Sequence, residues 1–143
     1  MPIINGKITL ETQGFTDIVD ITQELTNMVQ CHAVKTGQVL VYAPGSTVSV
    51  TSLEYEPGLI KDFPEILEKL IPMNQKYYHD EKWQDGNGYA HIRASIIGNN
   101  MNIPIMDGNL ILGTWQNIVL IDFDNKPRTR AVFVQIVTDD VLR

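Results

Sequence analysis

Apolar and polar positions alternate loosely from Ile3 to Thr12, the period of a strand with one buried face. Gly14 breaks the pattern, and Phe15 to Val19 reads as the second strand of a hairpin. The period then changes. Ile21, Leu25, Met28 and Val29 recur at helical spacing behind Asp20, a capping residue, and predict a helix running to about Val34, with Gly37 as its stop. Gln38 to Tyr42 and the β-branched run Thr47 to Leu53 are strands separated by the turn Pro44-Gly45-Ser46. Pro57-Gly58 opens a second helix carrying Leu59, Ile60, Phe63, Ile66, Leu67 and Leu70, closed by Ile71-Pro72. Residues 73–88 are polar and without period, long for a mere connection. Asn87 is placed to cap a short helix from Tyr89 to Ile97 that Gly98 stops. Strands follow at Asn102 to Met106, Leu110 to Phe123 (broken near Gly113) and Arg128 to Val137, with Asp107-Gly108 and Asp124-Asn125 as hairpin turns.

The order is β-β-α-β-β-α-(α)-β-β-β. Strands adjoin strands, so the fold class is α+β with a mostly antiparallel sheet and two to three helices. At 143 residues the chain is one domain, 1–143, large enough to bury about two-thirds of its unfolded surface without a staple. The apolar strand surface between Ile103 and Ile121 exceeds what one small sheet face covers, which points to burial between subunits; the alternative is that the helices cover it.

The net charge of −6 argues against nucleic acid or anionic lipid as the main partner. Cys31 is the single cysteine, so no intrachain disulfide forms; it reads as a buried helix residue. The N-terminus lacks a signal pattern and no apolar run approaches the roughly 18 residues of a membrane span, so the expectation is a soluble, cytoplasmic protein.

Candidate chemistry is concentrated between Tyr78 and Trp115. His79, Asp80, Glu81 and His91 offer imidazole and carboxylate donors around one turn, the types a divalent metal takes, though not at zinc-finger or HExxH spacing. Ordinary hydrogen bonding by both histidines is the competing reading. Arg93 with Ser95, and Arg128 with Arg130, supply planar guanidiniums suited to phosphate, or else surface ion pairs. Ser46 and Thr47 lie at a turn that can hold an anion, and Glu54 follows the strand as a candidate base. Gly113-Thr114-Trp115-Gln116 suggests a bulge, with Trp115 in the core or an interface and Gln116 lining a pocket. His32 reads as structural.

On Asp20-Ile21-Thr22, the Pro44 to Glu56 turn and strand, Tyr78-His79-Asp80, Ala90-His91-Ile92-Arg93-Ala94-Ser95, Asp107-Gly108, Gly113-Thr114-Trp115-Gln116 and Arg128-Thr129-Arg130, the chain resembles the YjbQ-like family, often labelled secondary thiamine-phosphate synthase. The resemblance covers nearly the whole chain. It implies a sheet curled into a half-barrel and a homotrimer with its site near a subunit interface. It also implies a pocket where histidines gather around a divalent metal, zinc or else magnesium, or around an anion. His79 and His91 match two such histidines. Many relatives carry His-Thr-Thr where this chain has Gly45-Ser46-Thr47, and Asn where it has Leu53, while Glu54 is kept.

The implied function is a small cytosolic enzyme acting on a phosphorylated metabolite. By the family label it joins a pyrimidine diphosphate to a thiazole phosphate and releases pyrophosphate. In that reading His79, His91 and Glu54 are catalytic. Arg93, Ser95, Ser46, Thr47, Gln116 and Arg128 bind the anionic substrate, and His79, His91 and Asp80 hold the metal. A non-catalytic trimeric module binding a metal or phosphorylated metabolite, and a metal-assisted hydrolase, are the alternatives.

Overall fold

In the computed structural model, which describes residues 2–140, the chain runs β1 (Ile3–Thr12), β2 (Asp17–Asp20), α1 (Thr22–Cys31), β3 (Gly37–Tyr42), β4 (Val48–Leu53), α2 (Pro57–Leu70), α3 (Tyr78–Trp83), α4 (Gly88–Ile97), β5 (Asn100–Met106), β6 (Asn109–Leu110), β7 (Asn117–Asp122) and β8 (Arg128–Thr138). The α+β class and the curled antiparallel half-barrel are as expected. The hydrogen bonding divides the curl into a five-stranded sheet, β1-β8-β3-β5-β6, and a three-stranded sheet, β2-β7-β4. Among the described residues there are four helices rather than two to three, because residues 78–83, expected to be irregular, form α3.

The two sheets pack face to face. Ile4, Ile8, Val39, Val41, Ile103, Val132, Val134 and Ile136 of the larger sheet meet Val48, Val50, Ile118 and Leu120 of the smaller, with Leu25 and Val29 of α1 filling one end. The smaller sheet's other face, carrying Ile18, Val119 and Ile121, is covered by Leu67 of α2 and by Tyr89, Ala90 and Ala94 of α4. β7 is therefore buried on both faces, which explains its unbroken apolar run. Among the described residues nothing covers the outer face of the large sheet, which exposes Leu40, Tyr42 and Phe133.

Several expectations fail for identifiable reasons. β1 and β2 are not a hairpin: β1 pairs with β8 and β2 with β7. Three successive left-handed residues, Gly14, Phe15 and Thr16, turn the chain from one sheet into the other. Asp124-Asn125 is likewise a crossing between sheets, not a hairpin turn, since β7 and β8 pair with different strands. Asp107-Gly108 does close a two-residue hairpin, β5–β6, with both residues at positive φ as a type I′ turn requires. α1 ends at Cys31, short of Val34. Ala33 takes the left-handed position, Val34 N–H donates to Val29 O and Ala33 N–H to Gln30 O, a Schellman closure that returns Val34 to the core. Gly37 begins β3 instead, where a side chain would run into the Val137 carbonyl. Cys31 is exposed. It lies about 200° around the helix from buried Val29 at 100° per residue. Among the described residues no helix is long and apolar enough to cross a membrane.

Candidate functional site

At one end of the molecule the chain crosses between the two sheets at residues 13–16, 43–47 and 123–127, and passes from α4 into the larger sheet at 98–99. Polar side chains fill that end. Asp122 and Asp124, both fully buried, sit at the end of β7. Arg130 grips Asp122 through Nε (2.7 Å) and Nη2 (2.9 Å), and Thr12 Oγ1 donates to the same carboxylate at 2.5 Å. Arg128 pairs with Asp124 at 2.7 Å, and Thr47 Oγ1 donates to Asp124 at 3.2 Å. Burial alone would raise both carboxyls. For Asp122 the bonds from Arg130 and Thr12 override it and lower the carboxyl. For Asp124, donation by Asn125 N–H, Asn87 and Arg128 brings it down to about 2. Both are ionised acceptors at neutral pH.

The histidines stand on this base. His79 lies in the first turn of α3 and His91 in the first turn of α4, with ring centroids 4.3 Å apart and planes tilted by 48°. Asn87 connects the layers. Its backbone carbonyl accepts from Ala90 and His91 N–H. Its side chain does not cap α4 as expected; Nδ2 donates to Asp124 (3.2 Å) and Oδ1 lies 3.1 Å from His79 Nε2. The cap is supplied by Asp80, which accepts from Gly88 N–H at 2.8 Å. Asp85 reaches back so that its carboxylate lies 3.2 Å from His79 Nε2, aided by left-handed Gln84 and Gly86. One donor atom each from His79, Asp80 and Asp85 falls within 4.8 Å of the others. Burial, and after it the neighbouring His79, pushes His91 below the usual imidazole range.

Beside His91 opens a cleft of about 220 Å³. Gly45, Ser46 and Val48 form one wall, and His91, Ala94, Ser95, Gly98 and Asn99 the other. Ser95 Oγ donates to the His91 carbonyl at 2.8 Å.

The structure thus brings together His79, His91, Asp80, Ser46 and Ser95, with Thr47 and Arg128 in the supporting ion cluster. It places three other candidates elsewhere. Arg93 is 2 % exposed and turned inward: Nε and Nη2 donate to the Ile71 carbonyl, Nη1 to Thr16 Oγ1 and Nη2 to Glu68. Its donors clasp α4 to the end of α2, so it does not reach the cleft. Glu54 and Gln116 lie at the opposite end of the small sheet, about 20 Å away at 3.3 Å per strand residue. Gln116 there bonds Gly113 N–H and Ser52 Oγ. Trp115 is exposed, 73 %, and not in the core. Sequence reasoning missed Asp85, Asn87, Asp122, Asp124 and the leading role of Arg130. The alternation Asp122-Phe123-Asp124 ahead of Arg128-Thr129-Arg130 was the available signal, two acids and two bases on alternate positions across one turn.

These features define a small α+β domain with a histidine and carboxylate cleft at a sheet crossing. The chain belongs to the UPF0047 protein YjbQ-like family, whose model matches residues 6–139. A UPF0047 protein of Archaeoglobus fulgidus is 40% identical over 129 residues, 90% of this chain and 98% of that one. The UPF0047 protein YugU of Bacillus subtilis is 29% identical, covering 91% of this chain and 96% of its own. Among solved structures, a YbjQ-like protein of unknown function from Sulfolobus solfataricus superposes with a TM-score of 0.90 at 28% identity, covering 96% of this chain and 99% of that one. A family member from Clostridium acetobutylicum gives 0.83 at 36% identity, covering 92% and 98%.

Proposed function

We propose that the cleft binds a small phosphorylated metabolite beside a divalent cation held by His79, His91 and Asp80, and that the protein is a cytoplasmic transferase of the thiamine-phosphate synthase type. The observation that carries this reading is the contact between the rings of His79 and His91, with His91 lining the cleft and Asp80 and Asp85 beside His79. Among the described residues the donor atoms that converge within 4.8 Å belong to His79, Asp80 and Asp85, and His91 stands next to them through its ring contact with His79; imidazole together with carboxylate oxygen favours zinc over magnesium, which prefers all-oxygen coordination. When bound, the cation supplies charge for a phosphate oxygen. The chain's own residues do the rest. Ser46 and Ser95 place hydroxyls at the cleft, and His91, kept neutral by burial, has its lone pair free for the cation.

The homotrimer belongs to the same proposal. A cleft of about 220 Å³ falls below the roughly 300–1,000 Å³ of ordinary ligand pockets, and a neighbouring copy would deepen it. The separation of Glu54 from the histidines favours a second reading, a non-catalytic module that binds the phosphorylated metabolite without turning it over.

The test is elemental mass spectrometry on protein purified without added metal, with light scattering on the same sample. About one zinc per chain, lost in His79→Ala and His91→Ala, together with a trimer, is expected. No metal after zinc is offered removes the cation, and a 16.1 kDa species removes the trimer. Pyrophosphate release from a pyrimidine diphosphate and a thiazole phosphate separates the transferase from the binding module.

A further inference from the structure

The hydrogen bonds around Asn87 decide which nitrogen of His79 carries its hydrogen. A neutral imidazole has one N–H donor and one lone pair, and the neighbours determine the arrangement. Asn87 is buried and its amide has two chemically different ends. Nδ2 lies 3.2 Å from Asp124 Oδ1. Asp124 is a carboxylate held ionised by Arg128 and the Asn125 N–H, and it can only accept. Turning the amide over would set oxygen against oxygen in a buried site, so the NH₂ end must face Asp124. Oδ1 therefore faces His79, 3.1 Å from Nε2. A second acceptor, Asp85, stands 3.2 Å from the same nitrogen. With acceptors on both approaches, Nε2 must carry the hydrogen.

We infer that Asn87, locked by Asp124, and Asp85 together fix His79 as its Nε2–H tautomer, leaving Nδ1 as the lone pair offered to a cation or to a substrate proton. Asn87 is then a positioning residue that also orients His91, since its carbonyl accepts the His91 N–H. Asp85 acts as a partner of the His79 N–H and not as a metal ligand, although it lies close enough to be taken for one. A metal-bound histidine commonly donates its other nitrogen to a carboxylate or carbonyl in this way. The tautomer stands independently of the proposed function; only the choice of nitrogen for the cation rests on that reading.

The test is long-range nitrogen–proton correlation spectroscopy of ¹⁵N-histidine-labelled, metal-free protein, above the pH at which imidazoles titrate. Expected is a single His79 tautomer, protonated at Nε2 and bare at Nδ1. It should persist in Asp85→Ala, which keeps the Asn87 acceptor, and relax to the averaged signal of free histidine in the Asn87→Ala/Asp85→Ala double variant. An Nδ1–H signal in the wild type, or an averaged one, overturns the inference without recourse to any variant. Zinc is then added. Perturbation of Nδ1 with Nε2–H retained is expected, and Asn87→Ala should weaken zinc binding about 10–100-fold. Loss of the Nε2 proton on zinc binding also overturns the inference. Absence of any zinc response leaves the tautomer standing and defeats the metal reading alone.

Discussion

Replacing Arg93 by Met separates a clasp from a ligand-binding arginine. Methionine keeps most of the aliphatic bulk and removes every donor. Left behind is the Ile71 carbonyl, which Arg93 approaches at 2.7 Å and 3.1 Å. A buried acceptor without a partner costs about 1–3 kcal/mol. Thr16 Oγ1 loses a bond of 3.1 Å, worth about 1 kcal/mol net. Glu68 is half exposed, so its pair adds about 0–1 kcal/mol at most. The stacking of the guanidinium on Tyr89, 5.0 Å from the ring centre, is also lost. Together these give about 3 kcal/mol of destabilisation, which corresponds to a fall in Tm of about 10 °C for a domain of this size. Urea unfolding and thermal melts read the first quantity. Calorimetric titration with inorganic pyrophosphate, at a temperature where the variant is folded, reads the second and should be unchanged. Stability within about 0.5 kcal/mol of wild type, with pyrophosphate binding abolished, would refute the clasp and return Arg93 to the site.

Two other outcomes follow from the sheet crossing. Asp124 has a folded-state carboxyl near 2 against 3.8 for the free side chain. A depressed carboxyl stabilises the fold above its unfolded value, and that stability is lost as pH falls through the folded one. At 1.36 kcal/mol per unit this is about 2 kcal/mol lost between about pH 5 and 2. Asp124→Asn should flatten that part of the acid limb in urea midpoints measured against pH, and an unaltered slope would count against the assignment. Gly14→Ala would place a Cβ 2.6 Å from the Asp124 carbonyl and 2.7 Å from that of Lys126 at a φ of +76. Left-handed strain and overpacking of rigid backbone should cost about 2–4 kcal/mol in denaturant melts, and a change below about 0.5 kcal/mol would mean that the crossing adapts.

Periodicity made most of the elements legible, because strands and helices bury apolar residues at fixed intervals. It did not disclose which strands pair. The Ile3–Thr12 and Phe15–Val19 segments look like a hairpin by proximity, yet their connection turns through three left-handed residues, two of them not glycine. α3 was hidden because none of its side chains is buried, so no apolar stripe marks it. In the site, His79, His91 and Asp80 were legible as chemistry near one turn. Arg93 was misplaced because a sequence records that an arginine is present and not where its donors point. Glu54 and Gln116 were grouped with the histidines by resemblance alone, and within one chain the length of β4 and β7 keeps them apart.

The location of the site follows from the architecture. Strands of a sandwich satisfy their backbone along the ladders, but where chain passes from one sheet to the other the ladders end and polar groups need other partners. Here three crossings and the α4–β5 connection meet at one end and are tied down: Phe15 N–H donates to the Asp124 carbonyl at 2.7 Å, Ala43 N–H to Asn99 O at 2.9 Å and Val50 N–H of β4 to Gly98 O at 3.2 Å. The acids of β7 and the arginines of β8 neutralise one another between these turns. An apolar plug would fold as well, since burying ion pairs seldom adds net stability. What the ions provide is a rigid acceptor at a fixed place. Asp124 holds Asn87, Asn87 holds His79 and the start of α4, and α4 carries His91 to the cleft. Asp124→Asn, which leaves one acceptor oxygen of two and lets the Asn87 amide turn over, should therefore disturb the histidines. The ¹⁵N spectrum of that variant would show it as a mixed His79 tautomer at a temperature where the protein is fully folded. A single, wild-type tautomer there would mean that Asp85 alone orders the ring.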